Sequence, residues 1–186
     1  MLKSTLTALA VLASAPAFAS GLDITVAGDA NGVIHIDLLD DVAPGHVAHI
    51  TTLATEGAYD NVVFHRVIDG FMAQTGDVEF GKMGSDAFSM QAAGRGGSEY
   101  PDLKAEFSDE NFDTGVVGMA RSQSPDSANS QFFIMFAPAP HLNGQYTVVG
   151  RVTEGMDIVN AIKKGTGPNG SVIGEPDKMV SVTVTD

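Results

Sequence analysis

At 186 residues the chain has room for one domain, and 44% hydrophobic residues are ample for its core. Ten Lys and Arg stand against 23 Asp and Glu, a formal net charge of −13, which repels phosphate backbones and anionic lipid and argues against nucleic acid or membrane as partners. With no cysteine there is no disulfide framework, so stability must come from packing.

The opening "MLKSTLTALAVLASAPAFAS" has Lys3, an apolar run from Leu6 to about Ala13, and then Ala17-Phe18-Ala19, a small-x-small cleavage pattern. That order predicts an export signal over residues 1–19 and a mature domain over 20–186. Its apolar run is far short of the roughly 20 residues that span a bilayer. Removing it takes away one lysine and no acid, leaving nine basic residues against 23 acidic ones and a net charge of −14.

"LDITVA" and "VIHIDLLD" alternate around "GDANG" and read as a hairpin. Over 43–56 the period changes: Val47, Ile50 and Leu53 recur at helical spacing, Pro44 suits a first turn and Gly57 a left-handed stop. "FHRVIDGFMAQTGD", Phe64 to Asp77, then sets one arginine between two apolar strands. If Asp69-Gly70 is a two-residue turn, Arg66 opposes Ala73. If Asp69-Gly70-Phe71 is a three-residue loop, Arg66 opposes Gln74 and Ile68 opposes Met72, and these four side chains share a face.

Residues 79–115 show no sustained period and read as a functional excursion. "GVVGMA", "SQFFIMF" and "YTVVGRV" are three short strands. A second helix follows, with Thr153 as its cap, Asp157 in its first turn, Met156, Val159 and Ile162 as its stripe, and Lys163, Lys164 and Gly165 closing it. "MVSVTVTD" is a last strand. About eight strands and two helices without βαβ alternation predict a mainly β fold, a closed eight-stranded antiparallel barrel with helices over its ends.

"FHRVIDGFMAQTGD" closely resembles the signature of the cyclophilins, the cyclosporin-type peptidyl-prolyl cis-trans isomerases, and "GVVGMARSQSPDSANSQFFIMFAPAPHLNGQYTVVGRV" resembles their second block. The two blocks lie in the family's order, and the likeness spans nearly the whole mature chain. The resemblance implies a groove on the outside of the barrel, with Arg66 and Gln74 as the catalytic pair and Phe71, Met72, Phe133 and Leu142 as the proline pocket. It places Ala120, Arg121 and Gln131 along the substrate's N-terminal side, and His141 and Tyr146 at the rim. His141 stands where the best-known eukaryotic members have tryptophan, Tyr146 where they have histidine, and Arg121 replaces a common asparagine. These departures touch ligand choice, and weak cyclosporin sensitivity is expected of a chain with His141.

The expectation is therefore an exported, periplasmic, monomeric isomerase that acts on X-Pro bonds of other exported polypeptides without metal or cofactor. Competing readings exist for each feature. Arg66 pairs with Asp69 or Asp77 on a solvated edge, or the apolar pocket residues are core. His46 and His49, with His35 or His65, begin a metal site, though no Cys or Glu-rich run supports one. "GRGG" at 94–97 lacks the Lys-Ser/Thr of a phosphate loop and reads as flexible backbone, while "DEN" and "SPDSANS" read as turn chemistry. Two rival functions are a proline-segment chaperone with incidental turnover and a lipocalin-like carrier with a hollow interior.

Overall fold

A computed structural model describes residues 20–185, and the expected leader, 1–19, lies outside them. The first alternation makes the hairpin β1 (Gly21–Ala27) and β2 (Gly32–Leu38), with Leu22, Ile24, Val26, Ile34, Ile36 and Leu38 buried. Helix α1 (Pro44–Thr55) turns Val47, Ile50 and Leu53 inward, and Gly57 ends it with a φ of 67°. Its N-terminus has no side-chain cap of its own. Instead Glu106, far along the chain, accepts the N–H groups of Gly45 and His46 at 3.0 Å each and pairs with His46 Nδ1 at 2.6 Å. A carboxylate there also meets the positive end of the helix dipole.

The arginine stretch forms β3 (Val62–Val63), β4 (Arg66–Ile68) and β5 (Met72–Thr75). β6 (Val116–Met119), β7 (Phe132–Met135) and β8 (Val148–Glu154) follow, then α2 (Met156–Ala161) and β9 (Lys178–Thr185). All nine strands join one antiparallel sheet in the order β3-β9-β1-β2-β8-β6-β7-β5-β4, with Gly21 at the start of β1 paired to Thr185 at the end of β9.

The closed eight-stranded barrel is thus corrected to a curled nine-stranded sheet. Its two edge strands, β3 and β4, are separated in the chain only by Phe64 and His65, so one stretch of backbone supplies both edges. The break has a hydrogen-bonding cause. Phe64 N–H donates to the Asp177 carbonyl at 2.9 Å and Val172 N–H donates to the His65 carbonyl at 3.0 Å, so the segment before β9 takes the groups that a continuous strand would use.

Ile24, Ile34, Ile36, Phe132, Ile134 and Val149 fill the inside of the curl. The gap between Leu22, Ile36, Ile50, Phe132 and Val149 has no room for a water molecule, so the hollow interior that a carrier requires is not present there. Met72, Phe112, Val116, Phe133, Met135 and Leu142 form a second apolar cluster. α2 differs from expectation at its start: Gly155, with a φ of 88°, is the capping position, because β8 continues to Glu154 and Thr153 Oγ1 bonds the His35 carbonyl instead. At its other end Lys164 Nζ reaches the carbonyls of Asn160 and Ile162 at 2.6 and 2.9 Å, as the dipole favours.

The excursion, 79–115, contains no helix or strand, and side-chain acceptors hold its backbone. Asp77 is fully buried; its Oδ1 accepts the N–H of Glu79 and Phe80, and its Oδ2 accepts those of Gly94 and Gly96, between 2.7 and 3.1 Å. A Cβ at Gly96 would sit 2.5 Å from Asp77 Oδ1, so glycine is required for this approach. The "GRGG" run is therefore pinned, which corrects the reading of it as flexible backbone. "SPDSANS" also does more than turn: Asn129 Oδ1 accepts Ser98 N–H at 2.7 Å and Asp126 Oδ1 accepts Ala105 N–H at 2.9 Å.

Replacing Asp77 by Asn keeps one pair of these bonds and sets an NH2 group against the other two N–H donors. Asp77→Asn is therefore expected to lower stability by at least about 2 kcal/mol in urea unfolding. A change under about 0.5 kcal/mol would remove Asp77 as the anchor of the excursion.

Candidate active site

The β4–β5 connection is the three-residue loop Asp69-Gly70-Phe71, with Gly70 at a φ of 68° and Phe71 N–H bonded to the Ile68 carbonyl at 3.0 Å. Arg66 accordingly faces Gln74 and Ile68 faces Met72, and the two-residue alternative is excluded. His65 and Val67 point the other way and are buried.

The Arg66 guanidinium is held on three sides. Nη1 donates to Gln74 Oε1 at 3.1 Å and leans on Met72 Sδ at 3.8 Å, while Nε and Nη2 donate to the main-chain oxygen and Oδ1 of Asn169 at 3.0 and 3.1 Å. A guanidinium carries five N–H groups, so these three N–H···O bonds leave hydrogens free for a further acceptor. Neither Asp69 nor Asp77 pairs with it. Burial lowers the Arg66 pKa from its very high ordinary value, and the group remains a cation. Beside it, burial pushes the pKa of His65 down to about 4, with the Asp77 charge opposing, so this imidazole is neutral and adds no second charge.

Gln74 passes the constraint on. Its Nε2 donates to Gln131 Oε1 at 3.0 Å, and Gln131 Nε2 donates to the Gly96 carbonyl at 2.8 Å. Both amide orientations agree along this chain, so each oxygen accepts and each NH2 donates.

Arg66, Phe71, Met72, Gln74, Ala120, Arg121, Phe133, Leu142 and Tyr146 line one cavity of about 180 Å³. Met72, Phe133 and Leu142 are buried members of the second apolar cluster, so they are core residues of that cluster and pocket wall at once. Gln131 lies in an adjoining cavity of about 460 Å³ that shares Gln74, Ala120 and Arg121 with the first. His141 does not line either cavity; its ring stacks on Phe71, 5.9 Å between centroids. Tyr146 packs edge-on against Phe112 and Phe133, and the Arg121 guanidinium lies over its face at 4.5 Å.

Sequence reasoning missed Asn169 and Phe112. Asn169 sits in the "PNG" turn, 103 residues from Arg66, at a φ of 55°. Its sequence signal is only that of a turn. Phe112 stacks under Phe133 at 5.8 Å, and Gly118 admits the pair, since a Cβ there would come within 2.7 Å of the Phe133 ring. The histidines do not converge: His35 pairs with Asp23, His46 with Glu106, and His49 lies edge-on to Tyr100. Among the described residues there is no group of three or more metal-ligating side chains.

The arrangement is a fixed cation with spare N–H donors at the mouth of a small pocket walled largely by apolar side chains, and no nucleophile and base stand in hydrogen-bond reach of each other there among the described residues. It suits binding a ring and polarising an atom beside it, not covalent chemistry. The family model for the cyclophilin type peptidyl-prolyl cis-trans isomerases matches residues 22–184. A probable peptidyl-prolyl cis-trans isomerase of Brucella suis is 58% identical over 154 residues, 83% of this chain and 78% of that one. Peptidyl-prolyl cis-trans isomerase B of Bacillus subtilis is 37% identical over 133 residues, 71% of this chain and 84% of that one. Among solved structures, a cyclophilin from Hirschia baltica superposes with a TM-score of 0.69 at 25% identity, over 88% of this chain and 73% of that one. One from Cryptosporidium parvum gives 0.74 at 23% identity, over 91% and 99%, which bears on the fold alone. The chain belongs to the cyclophilin-type peptidyl-prolyl cis-trans isomerases and is an isomerase of X-Pro peptide bonds.

Proposed function

We propose that Arg66 drives the isomerisation by donating a hydrogen bond to the prolyl nitrogen. Rotation about an X-Pro bond is slow because the nitrogen lone pair is delocalised into the carbonyl, a barrier of about 18–20 kcal/mol. In the twisted state the lone pair is localised and accepts a hydrogen bond that the planar state accepts poorly, so a donor fixed in advance stabilises the twisted state selectively. The observation that carries this reading is the guanidinium held by Gln74 and Asn169 with N–H groups to spare.

Phe71, Met72, Phe133 and Leu142 grip the proline ring, so rotation moves the acyl side of the bond. Ala120, Arg121 and Gln131 flank the residues before it, with Tyr146 and the stacked His141 at the rim. All these groups come from one chain, so a monomer suffices. The clients are exported polypeptides, met in a bacterial periplasm after cleavage of 1–19, with no metal or cofactor. The leader pattern Lys3, Leu6–Ala13, Ala17-Phe18-Ala19 supports that location. Mass spectrometry of the protein from its native compartment is expected to give a chain beginning at Ser20, and an intact Met1 on the functional pool would end the export reading.

Arg66→Ala is expected to cut kcat/KM on a short X-Pro peptide roughly 10²-fold or more with little change in thermal midpoint. Arg66→Lys should restore little, because an ammonium cannot hold Gln74 and reach the nitrogen together. Full activity in a folded Arg66→Ala protein would remove Arg66 as the catalytic donor.

Asn169 acts as a positioning residue. Asn169→Gly keeps the left-handed turn and the main-chain acceptor and loses only Oδ1. It is expected to lower kcat about tenfold at constant KM, while Asn169→Asp, which retains an Oδ1 acceptor, should keep most of the rate. Equal losses in both variants, tracking their thermal midpoints, would assign Asn169 a merely structural part.

A further inference from the structure

The chain is strongly acidic, yet its arginines are not scattered. It has four, and three of them, Arg66, Arg95 and Arg121, line the two adjoining cavities of the groove. The fourth, Arg151, pairs with Glu110. None of the three groove arginines has a carboxylate within ion-pair distance among the described residues. Their charges meet only neutral dipoles: Arg121 donates to the carbonyls of Gln145, Ser122 and Gln123 at 2.9 to 3.4 Å, and Arg66 to amide and main-chain oxygens.

The larger cavity, about 460 Å³, adjoins the proline pocket, sharing Gln74, Ala120 and Arg121 with it, and is lined by Arg95 as well. Arg95 stands in the Gly94–Gly97 run that Asp77 pins through the N–H groups of Gly94 and Gly96. Arg121 is set in place by its bonds to Gln145 and by Tyr146 beneath it. The cavity also holds one carboxylate, Asp102, which accepts a hydrogen bond from Asn129 Nδ2 at 3.1 Å. Two guanidinium groups against one carboxylate leave its lining net positive on a chain whose overall charge is −13, and Asp77, buried behind the lining, has both oxygens turned to backbone N–H groups.

An anionic side chain on a substrate gains there what it loses elsewhere on this surface. Arg95, whose side chain makes no hydrogen bond among the described residues, offers a fork of donors to a carboxylate from backbone that is already fixed, while Arg121, with four of its five N–H groups given to carbonyls, adds a positive charge held in place. A lysine in the same place meets like charge. We propose that this enzyme selects X-Pro segments that carry an Asp or Glu within three residues before the proline, and that Arg95 and Arg121 determine that selection. The inference rests on the groove reading above, which sets the substrate's N-terminal side in this cavity.

The test is a series of otherwise identical X-Pro peptides with Glu, Gln or Lys placed in turn at each of the three positions before proline, assayed by NMR exchange for kcat/KM. At one position at least, Glu is expected to exceed Gln by about threefold or more and Lys to fall below Gln, with the spread shrinking as salt is raised. The ratio of Glu to Gln within each protein is the readout, so a general change in activity cancels. Arg95→Gln should bring that ratio toward one, and Arg95→Glu should reverse it in favour of Lys. Turnover of all peptides with no charge preference at any position overturns the selection while leaving the isomerase reading standing. A preference that survives unchanged in Arg95→Glu overturns the part given to Arg95. Failure to turn over any peptide, Gln series included, counts against the groove reading itself.

Discussion

The buried Asp77 carboxylate is the point from which the functional surface is set. It lies just past β5, and its two oxygens gather four backbone N–H groups from a segment that has no secondary structure of its own. Gly96, so fixed, presents its carbonyl to Gln131, which holds Gln74, which holds Arg66. A continuous run of hydrogen bonds thus joins a core anion to a surface cation without the two ever meeting. An unpaired buried carboxylate would cost several kcal/mol, and four charge-assisted hydrogen bonds offset that cost while aligning the loop.

Much of this was legible in the chain because it depends on local rules. Strand alternation around "DGF" gave two registers, and the three-residue loop, with Gly70 in the left-handed region, put Arg66 opposite Gln74. Helix α1 followed from Val47, Ile50 and Leu53, and the pocket residues from two matching motifs. What escaped depends on groups distant in sequence. Glu106 as the cap of α1, Asn169 as the second clamp on Arg66, and residues 172–177 as the partner of the β3–β4 break are pairings no local period records. The cap of α2 differs for a related reason: Thr153 is a good cap by type, but it falls at the irregularity in the pairing of β2 with β8, where its Oγ1 bonds the His35 carbonyl and the strand runs on to Glu154.

The charge pattern of the groove follows a similar division of labour. His65, adjacent to Arg66, is neutralised by burial, whereas the guanidinium groups of Arg66, Arg95 and Arg121 line the cavities. Carbonyl oxygens orient Arg66 and Arg121 without cancelling them. A carboxylate partner would have oriented them as well, but it would have quenched the field along the groove.

The pairing of Gly21 with Thr185 places the two ends of the described chain side by side on neighbouring strands, and neither β1 nor β9 contributes a residue to the groove lining. The described residues run nearly in a ring. Cargo fused before Ser20 or after Thr185 would depart from one spot, and a short linker across that spot would permit circular permutation, with Arg66 and its clamps left in their present order around the loop.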